Sequence, residues 1–370
     1  MSALFTPISI GKFELKNRIV IAPMCQYSAN EGQASDWHMF HLGSLALSGA
    51  GMLIIEATAV EPEGRITAAD LGLWSDATEA ALARVLTALR TYSAMPVAIQ
   101  LAHAGRKASS QAPWDGGQLI PVEQGGWHTS SASALPHGEH EAAPVALDQA
   151  GLKRVREAFV AAALRSHRLG IDMIEIHAAH GYLLHQFLSP IANQRTDNYG
   201  GTLENRLRFP LEVFDAMRAS VPADKPVGVR ISASDWVEGG WDIEQSIVFV
   251  KALEERGCAF IHVSSGGISP RQQIPVAPGY QVGFAEQIRR HTKMPVIAVG
   301  MITEPEHAES IIANGQADMV ALARGILYNP HWPWHAAAKL GGTVDAPRQY
   351  WRSQPRELKA LFGATSIGQR

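Results

Sequence analysis

His177-Ala-Ala-His180-Gly-Tyr182 sets two imidazoles three residues apart, with a phenol beside them. Before it runs Met173-Ile-Glu-Ile176, apolar and β-branched, the pattern of a buried strand. After it, Leu183, Leu184, Phe187 and Leu188 have the spacing of a helix's inner face. On the first turn of such a helix, residues three apart hold their Cβ atoms about 5–6 Å apart, so both rings would project to one side. Two imidazole N–H groups aimed at one point can hold a carbonyl or anionic oxygen, and a phenol can give a proton. The same spacing also suits a pair bonded to backbone, or a pair of metal ligands, since histidine is the commonest metal ligand. The elements around the pair decide between these.

Eight short apolar segments alternate with helical patterns. Arg18–Ala22, Gly51–Ala57, Pro96–Leu101, Met173–Ile176, Pro226–Ile231, Phe260–Ser264, Pro295–Gly300 and Asp318–Arg324 read as strands. Helical spacing fills 37–48, 77–92, 152–169, 203–219, 243–256, 284–292 and 305–314. Ile8–Leu15, broken by Gly11, reads as a hairpin ahead of the main fold. Strands this apolar suit a parallel sheet covered on both faces. Their number and the chain length predict an α/β fold, a (β/α)8 TIM barrel. A doubly wound sheet usually carries Gly-x-Gly-x-x-Gly after its first strand, and this chain has none there. Residues 1–370 are therefore expected to form one barrel domain. Two connections are too long for plain turns: a lid-like insertion over 104–148 after strand three, and 265–283 after strand six. Trp114 and Trp127 of the insertion are candidates for a pocket wall. The tail, 331–370, is aromatic and partly helical in pattern.

Composition narrows the function. The chain has 370 residues, 46% of them hydrophobic, and a net charge of −3, so it offers no electrostatic case for nucleic acid or a membrane surface. No stretch approaches the roughly 20 apolar residues of a membrane span, and Met-Ser-Ala-Leu-Phe-Thr-Pro is no signal peptide. Cys25 and Cys258 cannot supply a disulfide framework or a four-cysteine cluster. A soluble, cytoplasmic protein is the expectation.

In a (β/α)8 barrel the carboxyl ends of all strands meet at one mouth, where active sites lie. Strand one brings Cys25 and Tyr27 there, strand two Ala57 and Thr58, strand three Gln100 and His103. Strand four brings His177, His180 and Tyr182, strand five Arg230. Strands seven and eight bring Gly300, Ala323, Arg324 and Gly325. Loops after strands seven and eight often bind phosphate in this fold, and Ala-Arg-Gly opening a helix offers N–H groups and a guanidinium to an anion. Arg230 lies in a strand that should be buried, so it needs an anionic or strongly accepting partner. A nucleotide-like cofactor with an electron-rich ring is one partner; Glu56 or Glu175 is the alternative. A metal site finds little support. Cys25 could join the two histidines, but no fourth ligand is evident, and two arginines face the site. No metal is expected.

The sequence resembles the old yellow enzyme family of FMN-dependent ene-reductases, in its thermophilic-like branch. The resemblance covers nearly the whole chain. It rests on Asn17-Arg-Ile-Val-Ile-Ala-Pro-Met-Cys-Gln-Tyr27, Glu56-Ala-Thr-Ala-Val60, Gln100-Leu-Ala-His-Ala-Gly-Arg106, the segment His177–Pro190, Arg195-Thr-Asp-Asn-Tyr-Gly-Gly201 and Leu322-Ala-Arg-Gly325. It implies FMN at the mouth, with NADPH or NADH as reductant. Ala22, Pro23, Met24, Cys25, Ala57, Gln100 and Arg230 would contact the flavin ring and ribityl chain. Ala323 and Arg324 would hold its phosphate, with Gly300 beside it. His177 and His180 would hold the substrate carbonyl, Tyr182 would give the proton, and Tyr27 would line the substrate site. Cys25, threonine in other branches, would tune the flavin and touch the substrate.

The implied reaction is hydride transfer from NAD(P)H to FMN, then from flavin N5 to the β-carbon of an α,β-unsaturated carbonyl compound, with protonation at the α-carbon. The implied partners are enones or enals and NAD(P)H. Val299 is a departure, because a relative in this branch carries tryptophan there. The tail segment Gln349-Tyr-Trp-Arg352 matches one that enters a neighbouring subunit's site, so Trp351 or Arg352 would line the partner's pocket in a homodimer or dimer of dimers. Another FMN barrel oxidoreductase, a flavin-binding protein without turnover, and a metal hydrolase are the competing readings.

Overall fold

Apolar side chains along most of the strands alternate between two separate cores in the computed structural model, which describes residues 2–363 and 365. Eight strands close a parallel barrel. In chain order they are Ile19–Ile21, Met52–Ala59, Val97–Ala102, Met173–Ala178, Val227–Ser232, Ile261–Ser264, Val296–Ala298 and Met319–Leu322. Each pairs with its sequence neighbour, and the eighth pairs with the first. The expected (β/α)8 TIM barrel is the fold. The hairpin is also present, Ile8–Ile10 against Phe13–Leu15, antiparallel.

Side chains at alternate positions point inward and outward, as the pleat demands. Val20, Met52, Ala98, Met173, Phe260, Ile297 and Met319 form an inner core, with Ile10 and Leu15 of the hairpin closing its lower end. Leu53, Ile99, Ile174, Val229, Val263 and Val320 face outward into the shell shared with the helices. Gly228 makes room in the inner layer, because a Cβ there would meet the Phe260 ring. Further up the barrel the same inward register changes to Gln100, Glu175, Arg230 and His262, all buried. The interior is thus apolar below and polar beneath the mouth.

The helices expected from periodicity form with ends shifted by up to three residues, because caps set the ends. Asp148 accepts from Gly151 N at 2.7 Å and starts the helix Gln149–Arg168. Asp242 does the same for Ile243–Glu255, and Ser75 for Asp76–Tyr92. Such caps satisfy amide groups that have no partner within the helix. Strand limits shift by one or two residues from expectation, and two of these shifts bear on the site. Strand four runs on through Ala178, so His177 belongs to the strand. Strand eight stops at Leu322, and Arg324 opens the short helix Arg324–Tyr328.

The insertion 104–148 is tied down at its start and through its second half. It holds short 3-10 turns and two-residue strands, Ser130–Ser131 and Val145–Ala146, paired parallel. Arg195 donates to the carbonyls of Ala132 and Leu147 at 2.9 and 2.7 Å. Arg106 donates to Leu135 O and Pro136 O in the insertion, and to Ile268 O in the loop after strand six. One arginine thus ties both long loops together. Among the described residues, no helix is long and apolar enough to cross a membrane.

Candidate active site

His177 and His180 meet at the mouth, though not by the geometry expected. They do not share a helical turn. His177 ends the strand, and His180 stands in a turn with left-handed backbone, φ +56°, followed by Gly181 at +74°. The helix Leu183–Leu188 begins only afterwards. A non-glycine residue with positive φ is uncommon and is held by its surroundings. Here His180 N donates to Ser232 Oγ at 2.9 Å, and Gly181 N to His185 Nδ1 at 2.9 Å. His185 is buried with its Nε2 2.9 Å from Asp235. The turn swings His180 Nδ1 to 3.3 Å from His177 Nε2, with the rings edge to face. Tyr182 packs edge-on against His177, centroids 4.9 Å apart. Tyr27 and Met301 at the mouth also have positive φ, +51° and +50°.

Burial, and then the charge of Arg230, pushes both His177 and His180 well below the ordinary imidazole range. Both rings are therefore neutral, each with one N–H to give. Burial raises the Tyr182 phenol well above its usual value, so it keeps its proton. Lys107 Nζ lies 5.1 Å from the Tyr182 ring centroid. It donates to His180 O at 2.9 Å and Gly267 O at 3.0 Å. Burial, then the neighbouring Arg106, lowers this ammonium to about 8.

Pro23, Met24, Cys25 and Tyr27 lie half-buried on the loop after strand one, above the fully buried Ala22. Glu56 holds that loop by accepting from Gln26 N at 2.8 Å. Its other oxygen lies 3.2 Å from His38 Nε2. The ladder between strands two and three slips between Ile55 and Ala57, which brings Ala57 opposite Gln100. Burial first, then Asp70 and Glu56, raises the Cys25 thiol well above its usual value. Cys25 is thus a neutral thiol, not a thiolate nucleophile. Trp114 meets Tyr27 edge to face at 5.4 Å. Trp127 turns away, bonded to Glu63 O and stacked over Arg65. His103 also leaves the mouth, its Nε2 2.9 Å from Glu61.

On the side of strands five to eight lies a cavity of about 360 Å³, lined by Arg230, Ser264, Gly300, Ala323, Arg324 and others. Arg230 is buried, and its Nε has no hydrogen-bond partner among the described residues. Neither carboxylate proposed as its partner bonds it. Glu56 serves Gln26 and His38, and Glu175 accepts from Gln100 Nε2 at 2.7 Å and His262 Nδ1 at 2.9 Å. Arg324 is exposed at the cavity rim, where Gly300 turns with φ +128°. A buried guanidinium with an open donor beside a cavity ending in an arginine and a tight glycine turn fits a phosphorylated, electron-rich ring. Among the described residues, no group of three or more His, Cys, Asp or Glu is placed to hold a metal ion.

Trp351 and Arg352 are not brought to this mouth. Trp351 packs in the cluster around Trp334 and Phe362, and its Nε1 donates to Ala346 O at 3.1 Å. Arg352 is exposed. Sequence reasoning missed Ser264 and Lys107. Ser264 was findable, since it ends strand six in the inward register of His262; Lys107 gave no signal.

Comparison with known proteins supplies the family. The NADH:flavin oxidoreductase / NADH oxidase family matches residues 3–341. The chain is 44% identical over 355 residues to an NADPH dehydrogenase of Listeria innocua, covering 95% of this chain and 99% of that one. It is 44% identical over 351 residues to an NADPH dehydrogenase of Bacillus subtilis, covering 94% and 98%. Among solved structures, morphinone reductase in complex with tetrahydroNAD superposes with a TM-score of 0.74 at 29% identity, covering 98% of this chain and 94% of that one. With its barrel, its mouth and these relatives, the chain belongs to the NADH:flavin oxidoreductase / NADH oxidase family, the old yellow enzymes, as an FMN-dependent oxidoreductase that uses NAD(P)H.

Proposed function

We propose that the protein is an ene-reductase that reduces the C=C bond of α,β-unsaturated carbonyl compounds. The observation that carries this reading is the neutral His177–His180 pair, Nε2 and Nδ1 3.3 Å apart, with the Tyr182 ring against it. Ala323, Arg324 and Gly300 would hold the FMN phosphate. Ala22, Pro23, Met24, Cys25, Ala57, Gln100 and Arg230 would hold its ring and ribityl chain. Held there, FMN would supply the hydride chemistry between NAD(P)H and the β-carbon of the substrate.

The residues of the chain do the rest. His177 and His180 give their N–H groups to the substrate oxygen and stabilise the enolate-like charge that develops there. Being neutral, they hold that charge without surrendering a proton outright. Tyr182 keeps its proton until the α-carbon needs one. Arg230, with its unpartnered Nε, would offset negative charge on the flavin ring. Cys25, a neutral thiol, tunes the ring and touches the substrate, and Tyr27 with Trp114 lines the entrance.

The protein is proposed to act as a homodimer or dimer of dimers with exchanged tails. Trp37, Phe40, Leu327 and Tyr328 are all exposed, the last by 93%. Trp37, Phe40 and Leu327 line one shallow cavity with Gln26, beside the mouth. Apolar surface gathered in this way marks an interaction site. Trp351 is held by its own chain and Arg352 is not, so Arg352 is the residue to enter a neighbour's pocket.

Binding of p-hydroxybenzaldehyde tests the central claim, because a phenolate oxygen mimics the developing enolate. The holoenzyme should show a long-wavelength charge-transfer band and oxidise NADPH with cyclohexenone. His177→Ala and His180→Ala should each weaken the complex at least tenfold. An undiminished band at wild-type affinity in both variants would remove the pair from its role.

A further inference from the structure

Ser264 ends strand six with its Oγ 2.7 Å from His180 Nε2. That contact bears on which nitrogen of His180 carries the hydrogen. The neighbouring ring has its tautomer fixed by backbone. Ala179 N donates to His177 Nδ1 at 3.2 Å, so neutral His177 carries its hydrogen on Nε2. That Nε2 faces His180 Nδ1 at 3.3 Å.

His180 then has two neutral forms. With the hydrogen on Nε2, its Nδ1 is an acceptor, and the pair closes on itself. With the hydrogen on Nδ1, both rings present an N–H at the same place. Two donors facing each other repel, and an oxygen between them satisfies both.

The Ser264 hydroxyl selects between these forms by accepting from Nε2 or donating to it. Its other acceptor, Gln281 Oε1, is 3.4 Å away and already takes the Ser265 hydroxyl at 2.6 Å. The Gln281 amide cannot flip without loss, because its Nε2 donates to Val299 O at 2.9 Å. His180 Nε2 is therefore the best acceptor for the Ser264 hydrogen. We infer that Ser264 is a positioning residue: it donates to His180 Nε2, fixes the Nδ1–H tautomer, and so makes the histidine pair a two-donor site for one carbonyl or phenolate oxygen. This rests on the proposed role of the pair.

The test combines titration with a direct look at the tautomer. The holoenzyme is titrated with p-hydroxybenzaldehyde as wild type, Ser264→Ala and Ser264→Thr. Affinity is expressed per FMN-loaded site; Ser264→Ala should bind at least tenfold more weakly, and Ser264→Thr, which keeps the hydroxyl, should recover most of that loss. Ring-¹⁵N histidine spectra of the wild-type complex should show His180 as Nδ1–H, assigned by its absence in His180→Gln. This measurement stands even if Ser264→Ala does not fold. An Nε2–H tautomer in the wild-type complex overturns the inference, as does affinity within twofold of wild type in folded Ser264→Ala. Failure of the pair's role is distinguishable, since His177→Ala and His180→Ala would then bind as wild type does.

Discussion

Gly181→Ala should loosen the turn that delivers His180, and its cost can be worked out from the contacts. Gly181 has φ +74°, and a Cβ there would stand within 3.0 Å of Gly267 O, Gly267 C and Ile268 Cα. All three are backbone atoms, so no side chain can rotate away. The left-handed conformation itself costs an alanine roughly 1–2 kcal/mol. Moving the loop stretches the Lys107–Gly267 O and Ser232–Gly266 O hydrogen bonds, 3.0 and 2.8 Å long. At about 0.5–1.5 kcal/mol each, the total comes to roughly 2–5 kcal/mol. Gly170→Ala is the control. Its φ is +68° but nothing lies within 4 Å of the added Cβ, so it should cost only about 1–2 kcal/mol. Urea unfolding of both variants as holoenzymes measures the difference, and p-hydroxybenzaldehyde titration reads the position of His180. Gly181→Ala should bind the phenol at least tenfold more weakly, Gly170→Ala as wild type. Equal unfolding midpoints and equal phenol affinities for the two variants would refute the claim that this backbone contact positions the pair.

Three further outcomes are expected. Glu175→Gln removes the carboxylate that holds Gln100 and His262 and acts on Arg230 through space. It should raise the reduction potential of bound FMN by about 30 mV or more, a tenfold shift for a two-electron couple, read by dye-coupled reduction; an unchanged potential removes Glu175 from the electrostatics of the site. Asp70 is buried, and burial first, with Glu56 adding, raises it from 3.8 to about 7. The folded state therefore binds this proton more tightly than the unfolded chain. The stabilisation is full below about pH 4 and is lost as pH rises through about 7, roughly 4 kcal/mol in all. Asp70→Asn should flatten that fall in urea midpoints between pH 5 and 8, and an unaltered slope rules the group out. Finally, heterodimers of one Tyr182→Phe subunit and one subunit truncated before Gln349 should show about half of wild-type activity if tails cross between independent sites. Mixed dimers with only the parents' average activity would assign the tail to its own chain.

The sequence by itself determined the barrel and most of the mouth. Strand periodicity and alternation are local properties, and in a closed parallel barrel every strand end arrives at one rim. Cys25, Gln100, His177, Arg230 and Arg324 could therefore be gathered without any knowledge of contacts. The sequence did not determine how those residues are aimed. His180 was expected on a helical turn with His177. The structure gives it a left-handed turn, because Ser232, His185 and the Gly267 backbone hold it there. His103 looked equivalent to Gln100, yet it turns to Glu61, 42 residues away in sequence. Ser264 meets His180 across 84 residues, and Glu175 gathers Gln100 and His262 from neighbouring and distant strands. Such bonds depend on which inward positions share a layer of the barrel. That is fixed by register and closure, which belong to the whole sheet and to no segment of it.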